Sequence, residues 1–145
     1  MNIFFITPFP ESIKTLVENN IANQGVKKGL VNIDIVNPRD FTKDSYKKID
    51  DEPYGGGSGM VMMCQPFFDA IDYCISKSDS KPRIIFPSPR GEMLNHSISS
   101  ELSKEEVLIF ICGHYKGLDE RIIDKYVDLE ISIEIILFQT ANYLL

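Results

Sequence analysis

The sequence predicts an α/β domain, with a mostly parallel sheet flanked by helices. Two observations carry that prediction. Met1 to Ile6 and Val107 to Cys112 are short apolar runs without a charge, too short for a buried helix and the right length for covered strands. Between them, segments with apolar residues at helical spacing alternate with further strand-like runs, the pattern that builds parallel sheets.

Each element has its own signal. Met1 to Ile6 is the first strand, and Pro8-Phe9-Pro10 ends it. Ile13, Leu16 and Val17 follow at helical spacing after Glu11-Ser12, and a second short helix spans Ile21 to Lys28, stopped by Gly29. Val31, Ile33 and Ile35 alternate with other residues as in a strand. Pro38-Arg39-Asp40-Phe41 ends it, and residues 43–52, rich in Lys, Asp and Glu, read as a mobile, solvated loop. After Gln65-Pro66, the residues Phe67, Phe68, Ala70, Ile71 and Cys74 share a helical face, with Pro66 in the first turn. Lys77 to Pro82 reads as a turn. Arg83 to Phe86 reads as a strand ended by Pro87-Ser88-Pro89-Arg90-Gly91. Asn95 caps a helix to Leu102. Val107 to Cys112 reads as the central strand, ended by Gly113. Asp119 caps a helix to about Tyr126, and Val127 to Ile133 is the last strand.

The 145 residues suggest a single domain with a real core. A hydrophobic fraction of 43% and a charged fraction of 25% are those of an ordinary soluble chain. A net charge of −6 argues against a nucleic-acid binder driven mainly by overall charge and leaves a local basic patch open; no DNA partner is expected. Cys64, Cys74 and Cys112 are odd in number and lack CxxC spacing, so they read as reduced thiols in a cytoplasmic protein, small core residues rather than disulfides or metal ligands. No apolar run reaches the roughly 18 residues of a membrane span, and the N-terminus has no signal-peptide pattern.

The stretch from Asp50 to Met63 departs furthest from average composition. Asp50, Asp51, Glu52, Pro53 and Tyr54 lead into Gly55, Gly56, Gly57 and Gly59, then Met60 to Met63. Flexible linkers are Gly/Ser-rich and lack large apolar residues, so Tyr54 and the methionines favour a shaped ligand loop over a spacer. Ligands of open α/β sheets bind beyond the carboxyl ends of the strands. The loops Pro87 to Gly91 and Gly113 to Gly117, together with the segment after Ser132-Ile133, stand there and suit a heteroaromatic ligand such as adenosine. Neither GxGxxG nor a P-loop motif is present. His114 reads as a structural or surface histidine rather than a base, and His96 as plain surface. Asp119-Glu120-Arg121 reads equally well as a charged first helical turn or as part of a site. The cations at Lys27, Lys28, Arg39, Lys43, Lys47 and Lys48 suit a solvated surface better than a phosphate patch.

Taken together, these pieces resemble the bacterial tRNA (guanine-N1)-methyltransferase family, of the SPOUT class of trefoil-knotted methyltransferases. The matching stretches are Pro8 to Glu11, Val26 to Leu30, Pro38 to Thr42, Asp50 to Met63 with Gln65-Pro66, Ser88 to Gly91, Cys112 to Arg121, and Ser132-Ile133. The resemblance implies a homodimer with a knotted domain that binds S-adenosyl-L-methionine. Its cofactor residues would be Phe86, Pro87, Ser88, Pro89, Gly113, Tyr115, Gly117, Ser132 and Ile133. It implies that the guanine 3′ of a tRNA anticodon is methylated on N1 after being splayed into a loop. The residues that would hold this substrate are Arg39, Asp50, Asp51, Tyr54, Gly55, Gly56, Gly57, Gly59 and Met60. The family's proposed general base and linker arginine have no counterpart in these residues, and no metal ligands are implied.

The chain departs from the family pattern twice. Lys116 stands where an acid is usual beside the cofactor, and Glu134 onward replaces the family's Gly-Asp-Tyr continuation. Codons exist for Glu134 to Leu144 that, with one g placed in front, read Gly-Asp-Tyr-Ile-Ile-Ser-Asn-Gly-Glu-Leu. The expectation is therefore a gene that lost one base after the Ile133 codon. Residues 1–133 would be a partial cofactor-binding domain, residues 134–145 an aberrant tail, and the C-terminal tRNA-binding domain absent, leaving reduced or no activity. The alternative is a non-catalytic remnant that binds only cofactor or RNA.

Overall fold

The computed structural model describes residues 1–19, 21–52, 60–113 and 117–133. Five strands form one sheet in the order β2-β1-β6-β5-β7, and every pairing in it is parallel. β1 (Asn2–Ile6) lies between β2 (Asn32–Val36) and β6 (Val107–Ile111), joined in register by Ile6↔Val36 and Ile6↔Ile111. β6 occupies the centre, as its uninterrupted apolar sequence requires. Ile109 and Ile111 are fully buried, and facing residues from both sides of the sheet cover the strand. β2 is an edge strand, which is why its residues alternate between exposed and half-buried.

The helices follow their local chemistry. α1 (Pro10–Glu18) starts with proline at its first position, where no N–H is needed. α2 (Ile21–Lys27) stops at Gly29, whose φ of +68° suits glycine. A 3₁₀ turn, Pro38–Phe41, is capped by the Asn37 side chain, which accepts from the Arg39 amide at 3.0 Å. α3 (Cys64–Ser76) presses Phe67, Ala70, Ile71 and Cys74 into the core, each large side chain contributing about 1.5–3 kcal/mol. α4 (His96–Leu102) is capped by Asn95, which accepts from the Ile98 amide at 3.0 Å, and leaves His96 on the surface. Asp119 caps α5 (Glu120–Tyr126) by accepting from the Arg121 amide at 3.0 Å. Tyr126 joins α5 to α3, its hydroxyl donating to Asp72 at 2.8 Å.

Two expectations need correcting. Residues 43–52 are not simply a solvated loop. Ile49 is fully buried, and Asp50–Asp51 form β3, an antiparallel ribbon with β4 (Val61–Met62). One isoleucine in a run of charges carries no periodic signal, yet it anchors the segment. The strand starting at Arg83 also does not stop at Phe86. β5 runs Arg83–Met93 alongside β7 (Leu129–Ser132), with an irregularity in which Pro87 and Glu92 both face Ile131. Residues 88–91 are looped out between these two positions, the extra-residue geometry of a bulge. Pro89 therefore interrupts the ladder only where no ladder bond is needed. Gly91 lies so close to β7 that a Cβ on it would sit 2.5 Å from the Ile131 nitrogen, so glycine is required there by the approaching backbone.

Candidate functional site at the carboxyl edge of the sheet

Parallel strands bring their carboxyl ends to one edge. Thr7 follows β1 and donates its amide to Val36, and Cys112 follows β6 and donates to Ile6, both at 2.9 Å. Beside them lie the 88–91 bulge of β5 and Ser132-Ile133 at the end of β7. Ser88 is 6% exposed, and its hydroxyl accepts from the Arg90 amide at 3.2 Å, which closes the bulge. The Phe86 ring is buried under Gly113. A Cβ on Gly113 would stand 3.4 Å from that ring and 3.7 Å from Leu118. Gly117 has φ +129°, and a Cβ on it would meet nothing within 4 Å, so its backbone is open to a neighbour. Small residues, exposed backbone and an apolar floor suit a flat heteroaromatic group with a short polar tail. That is the chemistry of an adenosine-bearing cofactor.

The ribbon β3–β4 is fastened to this edge. The fully buried Met62 donates its amide to Gly117 and accepts at its carbonyl from the Asp119 amide, both at 3.3 Å. Met62 and Leu118 thus pair like neighbouring strands. On the other side, the Met63 amide donates to the Ile49 carbonyl at 2.8 Å. The approach to the ribbon is a built turn. The Asp44 carboxylate accepts from the Tyr46 and Lys48 amides, Lys47 takes φ +52°, and Arg39 donates from Nη1 to the Lys47 carbonyl at 3.0 Å. Arg39 therefore braces the turn leading to Asp50. Lys47 and Lys48 pair with Asp40 and Asp51 at 3.4 and 3.1 Å on the surface, consistent with solvated ion pairs.

A cleft of about 640 Å³ opens between ribbon, α3 and α5, lined among others by Asp51, Val61, Cys64, Phe68, Leu118 and Arg121. Asp119 organises its wall. Its carboxylate accepts from Arg121 Nε at 2.9 Å and Nη2 at 2.8 Å, the two-pronged geometry of a strong ion pair. The Arg121 guanidinium holds the Asp119 carboxyl well below the usual carboxylate range, aided by the Arg121 amide and the Cys64 thiol. Burial, then the Asp119 carboxylate, pushes the Cys64 thiol up to about 11. Lys48 holds the exposed Asp51 carboxyl below its usual value. Burial raises Cys74 to about 12 and Cys112 to about 11. All three thiols are free, and Cys74 is a core residue as expected, whereas Cys64 also lines the cleft.

The sequence-derived residues fall into three groups. Phe86, Pro87, Ser88, Pro89, Gly113, Gly117, Ser132 and Ile133 gather along the carboxyl edge, Phe86 with its ring in the core. Asp50, Asp51 and Met60 stand at the foot of the ribbon, with Arg39 bracing its approach. Tyr54, Gly55, Gly56, Gly57, Gly59, His114, Tyr115, Lys116 and residues 134–145 lie outside the described residues. Sequence reasoning missed Asp44, Ile49 and the junction role of Met62. The signals were present but faint: a lone isoleucine among charges, an Asp two residues before a tyrosine in a turn, and one methionine among several. Among the described residues, no group of three or more His, Cys, Asp or Glu side chains is placed to hold a metal ion. No helix among them is long and apolar enough to cross a membrane.

Fold and edge together define a methyltransferase domain of the SPOUT class, a mostly parallel five-stranded sheet flanked by helices. A crystal structure described as tRNA (m1G37) methyltransferase from Aquifex aeolicus superposes with a TM-score of 0.82 at 39% identity, over 91% of this chain and 59% of that one. The family model for tRNA (Guanine-1)-methyltransferase TrmD matches residues 1–140, and the chain belongs to that family. A tRNA (guanine-N(1)-)-methyltransferase of Ruminiclostridium cellulolyticum is 47% identical over 133 residues, 92% of this chain and 57% of that protein. One of Oceanobacillus iheyensis is 48% identical over 133 residues, covering 92% and 54%. The chain thus spans little more than half the length of these relatives.

Proposed function

We propose that this chain carries the cofactor site and the guanine loop of a tRNA (guanine-N1)-methyltransferase. The supporting observation is the Met62 junction, which sets the stem of the Asp50–Met63 stretch directly against the segment entering Gly117 to Asp119. The two stretches that carry the family resemblance most strongly are therefore neighbours in space. S-adenosyl-L-methionine would rest on Phe86 to Pro89, Gly113 to Gly117 and Ser132-Ile133, and supplies an electrophilic methyl group when bound. Around it, this chain's residues do the holding. The 88–91 bulge and Gly113 offer backbone groups to an adenine edge, and Phe86 and Leu118 wall it from water. Asp50, Asp51 and the glycines Gly55 to Gly59 would receive the splayed guanine of the tRNA, with Arg39 keeping the approach in place. Guanine N1 would lose its proton and take the methyl group as the cofactor's carbon–sulfur bond breaks, leaving S-adenosylhomocysteine. No residue of this chain is assigned to take the proton. Residues 1–133 are proposed as the cofactor-binding domain, working as a homodimer in the cytoplasm.

Isothermal titration with S-adenosylmethionine, beside a methyl-transfer assay on a tRNA transcript with guanine 3′ of the anticodon, tests the reading. Saturable binding that S-adenosylhomocysteine competes and ATP does not is expected. Absence of such binding would contradict it. Glu134 onward departs from the family's Gly-Asp-Tyr, which favours a second reading in which the chain binds cofactor or RNA without catalysis. Binding without label transfer supports that second reading, and transfer to N1 of the guanine eliminates it. Sequencing the gene tests the proposed base loss: codons for residues 134–144 that fail to restore the motif in the neighbouring frame would end that idea.

A further inference from the structure

We propose that Asp119 is a positioning residue that fastens the stem of the guanine loop to the cofactor segment, so that each site feels the state of the other. The inference rests on the functional reading above and adds to it a specific residue and a coupling. Asp119 touches three elements at once. Its amide donates to the Met62 carbonyl at 3.3 Å, holding β4. Its carboxylate caps α5 and clasps the Arg121 guanidinium in two bonds of 2.9 and 2.8 Å. The same carboxylate lies near enough to the thiol of Cys64, the first residue of α3 and only two positions beyond Met62, to raise that thiol's pKa.

The strand-to-helix connection from Met62 to Cys64 is thereby held by the Asp119 main chain at Met62 and carries Cys64 beside the Asp119 carboxylate. Met62 also donates to Gly117, so residues 117–119 hold both the amide and the carbonyl of Met62. A shift of the 117–119 backbone on cofactor binding cannot occur without moving Met62 or breaking a bond to it. The Asp119 side chain is 18% exposed although it stands on a cleft wall. The Arg121 side chain of the pair is exposed, so the two-pronged geometry on a largely covered Asp119, rather than burial of the pair, is what fixes the carboxylate.

Cys64 reports on the arrangement. In the full chain, Asp119→Asn keeps a residue able to cap α5 but removes the charge that faces Cys64 while Arg121 stays. Iodoacetamide labelling at pH 8, read residue by residue by mass spectrometry, should then rise at Cys64, because burial still raises its thiol but the Asp119 charge no longer does. Cys74 and Cys112 serve as internal controls and should not change. Saturating S-adenosylhomocysteine should slow Cys64 labelling severalfold in the natural chain and leave it unchanged in Asp119→Asn. Asp119→Glu, which restores the charge on a longer arm, should recover part of the cofactor effect.

Equal slowing in both chains would show that coupling bypasses Asp119 and would overturn the proposal. So would Cys64 labelling in Asp119→Asn that rises no more than that of Cys74. If S-adenosylhomocysteine gives no binding heat with either chain, the functional reading fails and the coupling falls with it.

Discussion

The five-stranded sheet and the two-stranded ribbon are held by different means. In the sheet, Ile6, Ile85, Ile109 and Ile111 are fully buried, and long parallel registers repeat the same bonds. The ribbon has two residues in each strand, and among the described residues from Asp44 to Met63 only Ile49 and Met62 are fully buried. Its geometry comes from single bonds: Met62 to Gly117, Asp119 to Met62, Met63 to Ile49. The sheet is redundant, and the ribbon is not. A stem built this way is cheap to move, which suits the proposed role of a loop that receives a base and releases it.

Deleting side-chain bulk separates the two regions most sharply. Ile109→Ala should lower global stability by about 3–4 kcal/mol, read by urea unfolding, because the central strand cannot collapse around the cavity. Gly91→Ala forces a methyl group into the β7 backbone, and a loss of about 1–3 kcal/mol is expected from such overpacking. If Gly91→Ala is neutral, the close crossing of bulge and β7 is wrong. Ile49→Ala should cost less globally than Ile109→Ala while speeding amide exchange at Asp51, Met62 and Met63 and leaving β6 amides unchanged. Equal acceleration in β6 would mean that ribbon and sheet open as one unit, and the comparison would fail.

A smaller effect is expected with acid. Because the Asp119 carboxyl sits below its ordinary value in the folded chain, its contribution to stability is fully present above the unfolded value of about 3.9. It is lost as pH falls through the folded value. Asp119→Asn should therefore flatten the acid side of the stability curve below about pH 4, measured by thermal melts from pH 6 to pH 2. An unchanged acid limb would show that the Arg121 pairing contributes nothing to folding.

Much of the sheet was legible in the sequence because apolar runs are periodic and loud. Val107 to Ile111 could be placed at the centre from composition alone, and the caps Asn95 and Asp119 stood where helix chemistry puts them. The long β5 was not legible. Pro87 and Pro89 signal a stop, and nothing local reveals that β7 meets the strand again at Glu92. The family motifs pointed to a candidate site, while the way its pieces assemble was not legible. Ile49, Asp44 and Met62 each act singly within their segment, and residues acting singly leave no periodic pattern to read.

The most direct test of the account is amide hydrogen exchange with and without S-adenosylhomocysteine. The sheet has a second hollow beside Asn2, Asn32, Tyr73 and Lys77, near the amino ends of β1 and β2, which serves as the internal control. The account predicts slowed exchange over residues 86–91 and 117–119, carried across to residues 60–64, with no change around Asn2 and Asn32. Protection at the Asn2–Asn32 end, or none along the carboxyl edge, would contradict it.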